Sequence, residues 1–372
     1  MTRVVLFGAS GFTGSLTAHA LMRRGITPVL AGRSADRLAS LVTQLHHDYG
    51  RICPIQTADS ADRASVRRLV EDTKDVLLTT VGPFASHGAA ALHAAIEAGC
   101  GYLDSTGEPP FIKEVFERAD GPAKRSGARL LTAFGYDYIP GNLAGTIALD
   151  RARAAEARVD RIEIGYFIRG GFGISSGTKA SALGMLLEPS FAYRRGRLVS
   201  VPTARAVQTF IVAGRPLDAL SIGGSEHFTL PALDTNLRSV DVYLGWAGKA
   251  TKAAQFGSVA LNGLARLPGT ARTLRTLTAR FAPTGAGPAA EERAKAATVA
   301  IARTFDAADA PINEVVVEGP SPYDLTAELL AWGAQQLAER RDVPSGALGP
   351  AAAFGAREFV AGCASIGLAE RA

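Results

Sequence analysis

Cysteine is scarce: three residues in a chain of 372, Cys53, Cys100 and Cys363. They are too few and too widely spaced for a disulfide framework or a paired cysteine metal site, and they fit a reducing cytoplasm. No run of about 18 consecutive apolar residues occurs, which excludes a membrane-spanning helix. The apolar stretch after Met1-Thr2-Arg3 is too short for a secretory signal. Histidine is also sparse, with six residues, and His46-His47 have no acid or cysteine at metal spacing, so no metal is expected. No serine elbow with ordered histidine and acidic partners is present, which argues against a hydrolase. The net charge of +5 is too mild to imply a nucleic-acid partner. One absence is local: no acidic residue occurs from Val242 to Ala290.

What is present is ordinary for a folded protein, with 47% apolar and 20% charged residues. At roughly 100–200 residues per domain, the length suggests two domains. Up to about residue 150, short β-rich runs alternate with amphipathic stretches, as in βαβ units. The expected strands are Arg3–Phe7, Thr27–Leu30, Ile52–Thr57, Val76–Thr80, Gly101–Asp104 and Ala128–Thr132. Beyond Asp150 the pattern changes. Arg161–Ile168 and Ser239–Trp246 alternate partially, like half-exposed antiparallel strands. From Ser321 the spacing of Leu325, Leu329, Leu330 and Leu337 is helical again. The expected fold is α/β: a Rossmann-type doubly wound parallel sheet with an inserted α+β second domain. Its boundaries are expected at 1–145 for the nucleotide-binding domain, 146–320 for the second domain, and 321–372 for a helical segment returning to the first.

Gly8, Gly11 and Gly14 follow the first strand and open the first helix. Glycine permits a tight turn and a close backbone approach to a pyrophosphate, whose charge suits the N–H groups of a helix N-terminus. Gly8, Ser10, Gly11, Phe12, Thr13 and Gly14 are therefore expected to form the pyrophosphate loop of a dinucleotide. An NAD site calls for an acid about 20 residues further on. That place holds Arg33 and Ser34 instead, a donor fork and a hydroxyl suited to a 2′-phosphate, so NADP(H) is expected.

With that loop, the Gly32-Arg33-Ser34 turn, Val81-Gly82-Pro83-Phe84, Tyr102–Glu108 and Gly135–Asn142, the chain resembles the saccharopine dehydrogenase-like oxidoreductases. The resemblance extends to the bacterial branch that includes trans-acting enoyl reductases. It implies hydride transfer at a cleft, with Val81, Gly82, Pro83 and Phe84 running beneath the nicotinamide and its ribose. Tyr102 and Asp137 match polar positions lining the substrate site of saccharopine-forming relatives. Those relatives carry G-x-D-P-G, whereas Tyr138 and Ile139 here separate Asp137 from Pro140. No basic clamp for an amino-acid carboxylate stands in the matched blocks. Reduction of a C=C or C=N bond also needs a proton donor. Tyr102, Asp137 and Tyr138 are the catalytic candidates, with Glu108 and Tyr136 in the same loops.

In the second domain, Thr178, within a hydroxyl-rich loop, and His227, able to act as an acid near neutral pH, are candidate substrate contacts. The acid-free stretch interleaves Phe256, Leu264, Leu274 and Phe281 with Lys252, Arg266, Arg272, Arg275 and Arg280. As two basic amphipathic helices, residues 247–281 would suit an acidic acyl carrier protein or an anionic membrane surface. The reading is thus an NADPH-dependent reductase of an enoyl or C=N bond in a small-molecule or acyl-chain substrate. It is expected to be cytoplasmic or peripheral to a membrane and capable of forming a homodimer. An amino-acid dehydrogenase of the saccharopine type and a non-catalytic NADP-binding regulator are the alternatives.

Overall fold

The computed structural model describes residues 2–170, 190–245 and 287–371. The chain divides into two compact units, Met1–Asp137 with Pro322–Phe354, and Tyr138–Ser321 with Gly355–Ala372.

The first unit is built on six strands: β1 (Val4–Phe7), β2 (Val29–Gly32), β3 (Ile55–Thr57), β4 (Val76–Thr79), β5 (Gly101–Asp104) and β6 (Arg129–Leu131). They pair in parallel in the order β6-β5-β4-β1-β2-β3, and Gly346–Ala347 extends the sheet beyond β6. β1, β4, β5 and β6 are buried along their whole length, and β1, with the sequence VVLF, is wholly apolar. Continuous apolar strands are what a parallel sheet covered on both faces requires. The doubly wound sheet expected from the sequence is therefore present, and its strand order reverses between β1 and β4. Ligands of open α/β sheets bind outside the strand C-termini at such a point.

α1 (Phe12–Arg23) follows the glycine loop, and α2 (Ala35–Tyr49) follows β2. α2 buries Leu38, Leu41 and Leu45 on one face, starts at a Ser34 cap that accepts the N–H of Arg37, and ends at Gly50 in the left-handed region. The helix Pro322–Glu339 packs along α1, with Phe12 and Tyr323 in edge-to-face contact at 5.1 Å.

The second unit carries β7 (Arg161–Arg169), β8 (Ser190–Arg194), β9 (Arg197–Val201), β10 (Val207–Val212), β11 (Arg215–Ile222), β12 (Ser239–Leu244), β13 (Ala297–Phe305) and β14 (Pro311–Gly319). The main path is β10-β11-β12-β7-β13-β14 followed by Ala369–Glu370, with β8 pairing both β12 and β9. Among the described strands of this sheet β12 and β7 pair in parallel and the other pairs are antiparallel, so the sheet is mixed.

The chain leaves the first unit at Asp137, ahead of the 145/146 division expected from the sequence. The helix Ile139–Ala154 packs on β13 and β14, which draws its whole length into the second unit. At the C-terminal end, Pro322–Phe354 returns to the first unit, but Gly355–Ala372 rejoins the second through the pairing of Ala369–Glu370 with β14.

One carboxylate ties together the loops that follow β5 and β6. Asp104 Oδ1 accepts the N–H groups of Thr106 and Ala133, both at 2.9 Å, and its Oδ2 accepts the Thr132 hydroxyl at 2.8 Å. All of these groups are buried, and burial raises the Asp104 carboxyl to about 6. Asp104→Ala would strand three buried donors and should cost on the order of 2–4 kcal/mol in urea unfolding. Asp104→Asn keeps an acceptor for two of them and removes a buried charge, so it should stay within about 1 kcal/mol of the parent.

Candidate functional site

The three loop glycines meet three different geometric demands. Gly8 has a φ of +91°, and a Cβ there would lie 2.8 Å from Thr80 Oγ1 and 2.9 Å from Val81 Cγ2. It therefore lets the loop after β1 press against the loop after β4. At Gly14 a Cβ would fall 2.1 Å from the Gly8 carbonyl oxygen, so the first turn of α1 can sit on the loop only without a side chain. Gly11 is exposed with an ordinary φ of −79°, and a Cβ would meet only the Gly8 oxygen, at 3.2 Å. A side chain at Gly11 is compatible with the fold and would stand where a ligand must approach the backbone.

The loop holds itself in place. Gly8 and Ala9 N–H donate to the Ala31 carbonyl, and Gly11 N–H donates to that of Gly8. Gly11 is the N-cap of α1, with no side chain to cap it. The first-turn N–H groups have no preceding helical carbonyl to accept them, and the positive end of the macrodipole lies there. Ser10, Phe12 and Thr13 are half-buried around this helix start. These residues suit a bound pyrophosphate: they offer an uncapped helix start and a cradle that a Cβ at Gly11 would fill.

At the end of β2, Arg33 is exposed and Ser34 is half-buried as the α2 cap. A Cβ on the intervening Gly32 would lie 3.6 Å from Ser10 Oγ, so the first loop borders this turn. After β4, Val81 N–H donates to Thr79 Oγ1, the Gly82–Pro83 peptide is cis, and Phe84 packs against Phe111 at 5.7 Å. Glu108 accepts the N–H groups of Phe84 and Ala85 at 2.8 and 2.9 Å.

Asp137 lies in the loop after β6, on the same sheet edge. It is half-buried as a residue, yet its Oδ1 has neither solvent contact nor a hydrogen-bond partner. Its Oδ2 lies against the backbone of Gly107, where a Cβ would come within 2.8 Å. Burial pushes its carboxyl up to about 7. A carboxylic acid that keeps its proton near neutrality can serve as a proton donor.

The other candidates lie elsewhere. Tyr102 is inside β5, wholly buried in the core of the first unit. Burial, with the Asp104 carboxylate beside its hydroxyl, drives its ionisation well above the usual tyrosine range. Tyr138 belongs to the second unit and is fully buried. Its carbonyl receives the side-chain amide of Asn142 at 2.8 Å. His227 is buried among the residues lining a pocket of about 310 Å³ with Phe191, Arg194, Arg205 and Asp241. Its Nδ1 faces the N–H and carbonyl of Gly224, and burial lowers it to about 4. Burial thus disfavours the protonated ring that a histidine acid near neutral pH would need. Thr178 lies outside the described residues.

A buried cluster in the second unit escaped the sequence reading. The Tyr166 hydroxyl donates to Glu226 Oε1 at 2.5 Å and accepts the Gly141 N–H at 2.8 Å. Gly141 and Gly224 give that carboxylate room, since a Cβ on either would lie 2.4 Å from one of its oxygens. The available signal was an acid in Gly-Gly-Ser-Glu-His, flanked by small residues that crowd nothing.

Comparisons with known proteins agree with this geometry. Residues 4–129 match the family model "Saccharopine dehydrogenase NADP binding domain". A putative trans-acting enoyl reductase of Mycobacterium tuberculosis is 35% identical over 188 residues, covering 49% of this chain and 44% of that protein. A lipid droplet localized protein of Caenorhabditis elegans is 32% identical over 147 residues, covering 38% of this chain and 34% of that one. The chain thus spans less than half the length of the curated relatives it matches. Among solved structures, apo saccharopine dehydrogenase (L-Glu forming) from Saccharomyces cerevisiae superimposes with a TM-score of 0.63 at 13% identity, covering 99% of both chains. Residues 4–129 are thus similar to a saccharopine dehydrogenase NADP-binding domain, and the chain shares the fold of the yeast enzyme.

The Asp137 carboxyl makes a pH prediction. Its folded value lies above that of an unfolded aspartate, so its contribution to stability is complete below about pH 4 and is lost as pH rises through about 7. Asp104 adds a slope of the same sign, so the comparison must be with a variant. Across pH 5 to 8, the unfolding free energy of Asp137→Asn should rise relative to the parent by a few kcal/mol. Parallel pH profiles for the two proteins would show that Asp137 is ionised throughout.

Proposed function

We propose that the chain is an NADPH-dependent oxidoreductase that reduces an enoyl C=C bond, or a C=N bond, of a small-molecule or acyl-chain substrate. The observation that carries this reading is the uncapped α1 N-terminus in its glycine cradle, sharing a sheet edge with Asp137, whose buried Oδ1 has no hydrogen-bond partner and whose carboxyl burial raises to about 7. When bound, the reduced nicotinamide supplies a hydride to one atom of the substrate double bond. The α1 N-terminus would hold the pyrophosphate, and Val81–Phe84 would carry the nicotinamide half. Asp137 would give its proton to the other atom, with the shielded Oδ1 as the group that suits a neutral acid.

The enoyl reading is favoured over an amino-acid substrate by the two residues separating Asp137 from Pro140 and by the lack of a basic clamp in the matched blocks. The enoyl reductase name of a mycobacterial relative supports it. NADPH oxidation should be followed with a panel of enoyl thioesters and of keto acid–amine pairs. Turnover of enoyl thioesters is expected. Turnover confined to glutamate or lysine derivatives would favour the saccharopine-type alternative, and tight NADPH binding with no turnover would favour a regulator.

Residues 247–281 lie outside the described residues, and their role is proposed from sequence alone. Their interleaved basic and apolar residues suit a peripheral contact with an anionic lipid surface, in keeping with the lipid-droplet relative. Sedimentation with anionic liposomes at low salt, lost at high salt and in an Arg272→Glu, Arg275→Glu variant, is the expected result. Binding to an acyl carrier protein alone would shift the proposal to that partner.

Arg33 is proposed to select NADPH by a charge-assisted contact to the 2′-phosphate, with Ser34 beside it. Arg33→Ala should cost on the order of 1.5–3 kcal/mol, or about 10–150-fold in NADPH affinity, with NADH affinity unchanged. Equal losses for both cofactors would make Arg33 a structural residue.

A further inference from the structure

Glu108 is buried, only 6% exposed, at the start of the helix Pro109–Glu114. Its carboxylate does not cap that helix. It reaches instead to a segment 24 residues earlier, where one oxygen accepts the Phe84 N–H and the other the Ala85 N–H. Those N–H groups belong to the backbone directly after Gly82-Pro83, at the start of a four-residue helical turn. Gly88, itself in a helical conformation, leads that turn straight into the helix Ala89–Ala98, so the two bonds fix the backbone at the entry to this helical stretch. Burying a carboxylate is costly unless its oxygens are well bonded. What the two bonds secure is the position of a backbone segment.

Glu108 is also linked onward. Its own N–H donates to Thr106 Oγ1 at 3.1 Å, and Thr106 N–H donates to Asp104, the carboxylate that pins the loop after β6. Its neighbour Gly107 is the residue against which the Asp137 carboxylate lies. One peptide step therefore joins the residue that holds the Gly82–Ala85 backbone to the residue that seats the candidate proton donor.

From this we infer that Glu108 is a positioning residue: it fixes the Gly82–Ala85 backbone that carries the nicotinamide half of the cofactor and sets it in register with Asp137. The inference rests on the cofactor placement proposed above. Glu108→Gln preserves size but turns one acceptor into an amide that faces an N–H donor, so one of the two bonds is lost.

The test uses the full chain and two probes, NADPH and adenosine 2′,5′-bisphosphate, which carries the adenosine half alone. In Glu108→Gln the dissociation constant for NADPH should rise about tenfold to a hundredfold, while that for the bisphosphate stays within about twofold. Glu108→Ala should show the same split more strongly. Should it fail to fold, Glu108→Gln carries the test alone, with its unfolding midpoint as the control for a merely structural role. Equal loss of both probes, or unchanged NADPH affinity in a folded Glu108→Gln, would overturn the inference. Failure of the parent protein to bind either probe would instead overturn the proposed cofactor site, and this inference with it, before any variant is made.

Discussion

A parallel strand that ends in a loop leaves backbone donors without ladder partners, and in a buried sheet those donors must be met from elsewhere. The first unit meets them with two buried carboxylates. Asp104 receives donors from the loops after β5 and β6, and Glu108 receives two from the turn after β4. Gly8 completes the arrangement from the other side by letting the β1 loop touch Thr80 and Val81. The sheet edge where a dinucleotide would lie is thus a set of four loops bonded to one another, and each depends on a buried acid or an absent side chain.

The same arrangement sets apart the one acid on this edge whose carboxyl burial raises furthest. Asp104 and Glu108 are surrounded by donors aimed at their oxygens. Asp137 has no such company at Oδ1, and burial is the cause of its raised value. Two carboxylates on one sheet edge, Asp104 and Asp137, therefore serve different ends according to how many donors reach them. The first is a staple. The second is left able to exchange a proton.

Much of this was legible in the sequence where the cause is local. Short β-rich runs alternating with amphipathic stretches marked the parallel sheet, and the glycine spacing after β1 marked the loop, because a turn and a close approach each require glycine at a fixed place. Ser34 reads in the sequence as a candidate phosphate contact, and in the structure it is the α2 cap. Where the cause is distant, the sequence was mute. Nothing near Glu108 announces that its partners lie at Phe84 and Ala85, and nothing near Glu226 announces Tyr166. Tyr102 reads as a polar cleft residue in a motif, yet its place inside β5 puts its ring in the core. The parallel pairing of β12 with β7 and the passage at Asp137 likewise depend on which faces find each other in three dimensions.

The return of the chain has a consequence for how the protein is made. Pro322–Phe354 supplies the helix that lies along α1 and the Gly346–Ala347 strand beside β6. Leu103 and Phe134 meet that helix at Gly333, where a Cβ would come within 2.7 Å of either. As the chain emerges from a ribosome, residues 1–137 therefore remain without one of their covering helices until the second unit has been synthesised in between. During that interval the β5 and β6 side of the sheet exposes apolar surface, the condition in which nascent α/β chains are prone to self-association. The first unit begins before the second and closes only after Pro322–Phe354 is made, so its maturation is timed by the length of the insertion it contains.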